Sequence, residues 1–489
     1  MSFDYDLVII GSSLEGIYAA RKAVLLQARV ALVTQSVDDY LDLDSFVYRR
    51  CLQEITNSFT KFNSNRWGVF SDNFAVSTLS LQTIKNAADL IKENIIAENS
   101  LAELAVLGVD VIYGQGEFCR LPRQAFLVNK RYLRSRNFLL ATGNKYTIKS
   151  EQSDYQTLPN NCFTPDTIWQ QNSDNFPNSL VIIGGYDYSS LELAQGLSLL
   201  GKKITFITSN QQLLPKESTA ANRLFIAQFA ADNIQLFTNS LVKNISSFGN
   251  KIKLQIKNKQ LETEAIIFAN NKEPNITGLN LAGVKVKYSQ QGIFINKKLQ
   301  TSNKDIYACG SLLAKNDSIQ TAQYEADIAL KNILSFPLFK VDYSSLAKAV
   351  LTQPNLASVG LTKITDLTEK EKQKIYLITR HFKSIPAAQV AVATRGWCQV
   401  IVKENGEILG CTIICDRAVE LINIISLMMS HKIKFSRNPI RGLLKQEIPY
   451  IVPSFSEIFN QIAIDFHLQK LQRDRGLKRR LETWFSWRK

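Results

Sequence analysis

The chain has 489 residues, 45% hydrophobic and 21% charged, with 58 lysines and arginines against 43 acids for a net charge of +15. That length predicts two to four domains with ample chain to bury full cores, and the composition is that of an ordinary globular protein. No apolar run approaches the roughly 18 uninterrupted residues of a spanning helix, and the positive charge is too diffuse to point to nucleic acid.

The N-terminus, MSFDYDLVII, carries acids where a signal peptide would carry lysine or arginine, so the chain is expected to start at its own N-terminus, in the cytosol. Residues 5–33 read as strand, helix, strand around LVIIGSSLEG, and the second strand ends on Thr34, 23 residues after Gly11. Such a unit places a pyrophosphate on the helix N-terminus, and the acid ending the next strand holds a ribose hydroxyl. A helical region is predicted over 40–106, then a strand pair over 109–118, then the buried strand RNFLLATG ending on Ala141, Thr142 and Gly143. At 180–194 the fingerprint restarts as LVIIGGYDYSSLELA, and its second strand ends on Thr208, again 23 residues after Gly185. Both acids are thus replaced by threonine. DIYACGSLL over 305–313 is a buried strand ending in Gly310 and Ser311, with a helix expected over 324–335. Past Pro337 alternating strands, an Asn405-Gly406 hairpin and a helix over 419–431 read as an α+β domain, and a helical segment follows Glu457.

The seven cysteines show no CxxC or CxxxxC spacing and no accompanying histidine cluster, which argues against a disulfide framework or a metal site. Cys309, Cys398, Cys411 and Cys415 lie in apolar runs and read as reduced packing residues. Over 460–489 eight basic residues face three acids. There Leu477, Leu481 and Trp484 recur at helical spacing, with Phe485 and Trp487 nearby. Two readings stay open for this segment: docking to an anionic membrane surface or a protein partner, or a solvated or subunit-packing helix.

In order along the chain stand GxxxxG at the start, ATG at 141–143, GGY with Leu191-Glu192 at 184–192, LLP at 213–215 and EPN at 273–275. IYACG at 306–310, QPNLASVGLT at 353–362 and PSFSE at 453–457 complete the series. With these the chain resembles the FAD-dependent pyridine nucleotide-disulfide oxidoreductases, which include mercuric reductase, dihydrolipoamide dehydrogenase and glutathione reductase. The resemblance covers about residues 1–459. It implies an α/β fold of two Rossmann-like nucleotide-binding domains, the NAD(P) domain inserted in the FAD domain, plus an α+β C-terminal dimerisation domain and a homodimer. The divisions expected are 1–150 and 278–337 for FAD binding, 151–277 for NAD(P), 338–459 for dimerisation and 460–489 for a basic aromatic extension.

The resemblance also implies FAD and NAD(P)H as cofactors, with hydride passing from nicotinamide to flavin and on to a CxxxxC pair. A histidine before the proline of the C-terminal box, held by a glutamate, acts as base. Several of these roles do not carry over. Counting without gaps puts Leu43 and Tyr48 at the dithiol positions, and Val452 stands before Pro453. Exchange needs a second sulfur to resolve the mixed disulfide, and valine cannot take a proton. Cys51, flanked by Arg49 and Arg50, is either a lone reactive thiol or a packing residue; Glu457 remains as a lone carboxylate. Flavin binding is expected from Gly11, Ser12, Ser13, Gly16, Thr34, Ala141, Thr142, Gly143, Gly310 and Ser311. Asp38 or Asp39 would stand in for the lost ribose acid. Each exchange of a charged acceptor for a neutral one weakens the site by roughly 1–2 kcal/mol. In the nicotinamide fingerprint only Gly185 survives of the glycines, and Asp187 would repel a pyrophosphate. Glu192, which in the family pairs with a lysine at the flavin's reactive edge, is kept, with Arg49 or Arg50 as candidate cations. The function expected is a flavin oxidoreductase that does not reduce disulfides and passes electrons to a non-thiol acceptor. The alternative is a non-enzymatic dimeric scaffold that docks through its basic tail.

Overall fold

The structure, a computed structural model, describes residues 3–34, 43–63, 79–120, 124–148, 158–185, 188–313 and 318–487. The chain forms two compact units: Met1–Leu52, Leu79–Ser209 and Gln235–Asp342 in the first, Gln53–Thr78, Asn210–Ile234 and Tyr343–Lys489 in the second.

The first unit holds two five-stranded parallel sheets. One runs Ile306–Ala308, Ser135–Leu140, Tyr5–Ile10, Val30–Thr34, Asp110–Tyr113. Leu7, Val8, Ile9 and Ile10 are fully buried, because a parallel strand covered on both faces must be apolar throughout. The other runs Gln235–Phe237, Lys203–Thr208, Ser179–Gly184, Ala265–Ala269, Cys162–Phe163. In both sheets the fingerprint strand is the middle one. The strand order reverses there, and crevices at such switch points bind nucleotides. The strand Ile306–Ala308 returns to the first sheet, in register with Phe138–Leu140, after the whole second sheet has been built.

Within the described residues one sequence expectation is refined and two are revised. The region 40–106 contains three helices, Asp44–Asn63, Leu81–Glu98 and Leu101–Val106. The latter two are started by Ser80 and Ser100, whose hydroxyls accept from the Thr83 and Ala102 amides. The strands near 109–118 do not pair. Asp110–Tyr113 extends the parallel sheet, and Gly114, at φ +148°, turns the chain so that Gly116–Cys119 joins an antiparallel meander with Ala125–Val128 and Arg131–Leu133. The helix expected over 324–335 is Ile319–Leu334, and its earlier start is set by the Ser318 cap on Thr321.

The second unit is built on an antiparallel sheet in the order Lys348–Val350, Asn355–Gly360, Ile408–Cys415, Trp397–Lys403, Ile375–His381. The hairpin at Asn405-Gly406 forms, with Gly406 at φ +86°. Helices Ala418–Ser430 and Glu457–Arg473 close its core around Phe382, Phe455, Phe459 and Phe466. Cys398 and Cys411 lie in this core with their sulfurs 3.8 Å apart, and burial raises the Cys398 thiol well above its ordinary range. Among the described residues, no helix is long and apolar enough to cross a membrane, and no cluster of His, Cys, Asp and Glu could hold a metal ion.

Candidate functional site

The strand Tyr5–Ile10 delivers Gly11 to the crevice at its carboxyl end. Gly11 takes φ +106°, and a Cβ there would lie 2.2 Å from the Ala141 carbonyl oxygen. Only glycine fits. A Cβ on Gly16 would lie 2.4 Å from the Gly11 carbonyl oxygen, so the helix Leu14–Leu25 packs directly on the turn. Ser13 caps that helix, its hydroxyl accepting from the Gly16 amide at 3.3 Å. Ser12 Oγ donates to Thr34 Oγ1 at 2.9 Å, both residues buried. The position of the missing ribose acid therefore holds a neutral hydroxyl pair; Asp38 and Asp39 lie outside the described residues.

Two further turns meet the first. The Ala141 amide donates to the Ile10 carbonyl, and the Cys309 amide to that of Leu140. Ser311 Oγ stands 3.5 Å from where a Gly143 Cβ would be, and Asn144 Nδ2 donates to the Ser311 carbonyl at 3.2 Å. Gly11–Gly16, Ala141–Gly143 and Gly310–Ser311, scattered over some three hundred residues of sequence, thus form one cradle.

Sequence reasoning missed the carboxyl pair beneath that cradle. Glu15, between the fingerprint's glycines, is buried, and its Oε1 would lie 2.0 Å from a Cβ on Gly310. Glu325, also buried, accepts the Gly310 amide at 2.8 Å. Burial pushes the Glu15 carboxyl up to about 7, and the nearby Glu325 charge adds to the rise. The signal was present in the sequence as an acid within a glycine turn, but its partner lies 310 residues on.

At the second fingerprint, Gly184 faces Phe206, whose Cζ would lie 2.1 Å from a Cβ, and Gly185 faces the Asn270 backbone at 3.1 Å. The helix Ser189–Leu199 begins without a side-chain cap from Tyr188. Tyr186 and Asp187 lie outside the described residues. Thr208 is buried at the end of its strand, paired in register with Gly184. Asn270 Oδ1 is buried with no hydrogen-bond partner among the described residues.

Glu192 is joined to Arg49, with Nε to Oε2 at 2.8 Å and both side chains largely buried. Of the two candidate cations, Arg49 makes the pair. The preceding residue, Tyr48, is buried, hydrogen-bonded to Asp89 and stacked on Trp169 with ring centroids 5.3 Å apart. Leu43 is buried as well, and Cys51 lies buried further along the same helix. Glu457 opens the helix Glu457–Arg473, where its carboxylate accepts from Gln461 Nε2 at 3.1 Å, and Val452 is 68% exposed.

The family model of the pyridine nucleotide-disulphide oxidoreductases matches residues 5–326, and that of the family's dimerisation domain matches 346–461. The chain belongs to the pyridine nucleotide-disulphide oxidoreductases. Mercuric reductase of Staphylococcus aureus is 25% identical over 96% of this chain and 84% of its own length. The fold matches the HOCl-induced flavoprotein disulfide reductase RclA of Escherichia coli, in its Cu(II) complex, at a TM-score of 0.77, with 21% identity over 95% of this chain and 99% of that one. It matches LpdA of Mycobacterium tuberculosis at 0.80, with 20% identity over 94% and 98%. FAD and NAD(P)H are the cofactors of this family, and the chain carries the domain through which its members pair as homodimers. The first cradle fits FAD on its own evidence. It has a glycine turn no side chain could occupy, a capped helix N-terminus, and Thr142 Oγ1 buried with no hydrogen-bond partner among the described residues.

Proposed function

We propose that this protein is a flavin oxidoreductase that takes electrons from NAD(P)H and delivers them to a non-thiol acceptor, such as a quinone or oxygen, without disulfide exchange. The observation that carries this reading is the Arg49–Glu192 pair. It sets a buried cation against the acid that the family pairs with a lysine, close in sequence to Leu43 and Tyr48, which carry no sulfur.

Bound FAD would supply the two-electron chemistry, and the chain's own groups supply the setting. The uncharged Ser12–Thr34 pair and the capped helix Leu14–Leu25 would hold the nucleotide without the usual acid. Glu15, its carboxyl pushed up to about 7, carries little charge below neutral pH and so spares the pyrophosphate a buried repulsion. Arg49 and Glu192 would fix the local charge where nicotinamide and flavin meet. Leu43 and the Tyr48–Trp169 stack, where a dithiol would stand, offer apolar and aromatic surface and no nucleophile.

The test is the visible absorption spectrum of the purified protein under anaerobic conditions, before and after NADH or NADPH. Bleaching of bound flavin, followed by turnover with quinones and none with small disulfides, is the expected result. Turnover of disulfides at comparable rates would sink the non-thiol reading. Bound flavin that neither nucleotide bleaches would instead favour a non-enzymatic dimeric scaffold, the reading suggested by the nicotinamide fingerprint's single surviving glycine.

A further inference from the structure

The helix Glu457–Arg473 is anchored in its unit by Phe459, Ile462 and Phe466, which are buried. Its last basic residues are engaged locally. Lys470 Nζ donates to the Glu404 and Arg437 carbonyls, and Arg473 lies over the Tyr376 ring at 4.0 Å. At Asp474 the chain breaks and restarts as a second helix, Arg475–Trp487, whose Leu477 amide donates to Asp474 Oδ1 at 2.9 Å. The break sits beside Gly476, the residue that disfavours one continuous helix.

This second helix has no buried residue, and it lies beyond the matched dimerisation domain, which ends at 461. At 100° per residue, Leu477, Leu481, Trp484, Phe485 and Trp487 share one face. Trp484 and Phe485 are each 59% exposed and Trp487 86% exposed. Lys478 borders that face, Arg480 falls within it between Trp484 and Trp487, and Arg475, Arg479, Glu482 and Ser486 lie opposite. Four basic residues against one acid thus surround an aromatic stripe. Indole and phenyl rings favour the headgroup boundary, and lysines and arginines at its margin reach anionic headgroups. An anionic bilayer satisfies stripe and charges at once, the rings at its headgroup boundary and the cations against its headgroups. At 13 residues the helix is far too short to span.

We propose that the helix Arg475–Trp487 lies in the interface of an anionic membrane and docks the protein there. The experiment is sedimentation of the full chain with vesicles of pure phosphatidylcholine or of equimolar phosphatidylcholine and phosphatidylserine. It is repeated for a chain ending at Arg473, for Lys478→Glu/Arg479→Glu/Arg480→Glu and for Trp484→Ala/Phe485→Ala/Trp487→Ala. The expected result is binding to the anionic vesicles only, weakened by added salt, and reduced at least about tenfold in all three variants. The charge-reversal variant changes only exposed side chains, so its flavin content and melting temperature should match the parent's. Equal binding by the truncated chain, or no binding by the full chain, overturns the proposal. A fall in solution mass on truncation, without vesicle binding, assigns the stripe to a second copy of the chain and also overturns it.

Discussion

The two fingerprints of the first unit share a spacing of 23 residues, a middle place in a five-stranded parallel sheet and a threonine in place of the ribose acid. They differ in how their glycines are held. Gly11 is locked by its positive φ and by a carbonyl 2.2 Å from any Cβ, and it opens onto a serine-capped helix. Gly184 is packed against an aromatic ring, Gly185 has ordinary φ with near-tolerable neighbours, and the helix that follows takes no side-chain cap from its N-cap residue Tyr188. Identical topology therefore does not guarantee an equally built nucleotide site. What separates the two is the local chemistry of the turn.

The sharpest way to break this comparison is Gly11→Ala beside Gly185→Ala. Gly11→Ala forces an L-residue into positive φ against backbone, so bound flavin should be lost and stability should fall by about 3 kcal/mol or more. Flavin absorbance and a thermal melt read both. At Gly185 a shift of a few tenths of an ångström admits the methyl, so a loss of about 1 kcal/mol and a raised KM for the nicotinamide are expected. Like behaviour of the two variants would mean that the two glycine turns are equally built.

Next in size is Arg49→Met, which removes the guanidinium from the buried Glu192 carboxylate. A destabilisation of about 3 kcal/mol is expected, with slowed flavin reduction by NAD(P)H measured by stopped flow, and Glu192→Gln should recover part of the stability in the double variant.

A third test concerns Glu15. Its carboxyl is raised from 4.5 to about 7 in the folded chain, so between those pH values the folded state binds more protons than the unfolded one. Stability should therefore fall as pH rises through that window, by about 3 kcal/mol in total, and level off above neutrality. Melts from acid to mildly alkaline pH should show this slope in the parent and lose it in Glu15→Gln, which should be the more stable protein on the alkaline side. A parent curve without the slope would remove the carboxyl pair from the account of the cradle.

Cys51→Ser has the smallest expected effect, about 1 kcal/mol, with acceptor turnover within about twofold of the parent. Abolished turnover in a protein of unchanged stability would bring back a reactive thiol.

Much of the first site was legible in the sequence because its pieces are local signals. Gly11, Ala141–Gly143 and Gly310–Ser311 each follow a buried strand whose apolar run sets its end, and Gly16 sits in the helix that opens after the first. The cation for Glu192 was narrowed to two neighbours and no further. Consecutive helical residues point about 100° apart, and only packing selects which of Arg49 and Arg50 reaches the acid. The Glu15–Glu325 pair and the Tyr48–Asp89–Trp169 cluster were invisible, since each joins residues far apart in sequence with no shared periodicity.

By itself, then, the sequence determined the family, the two parallel sheets and the absence of a CxxxxC dithiol, since residue identity and strand periodicity are properties of short stretches. Only the tertiary structure decided that Thr34 is taken by Ser12, that Arg49 is the partner of Glu192, and that two carboxyls lie beneath the flavin cradle. Those are consequences of which side chains the parallel sheet brings within hydrogen-bond reach, and that depends on strand order, which no local pattern encodes.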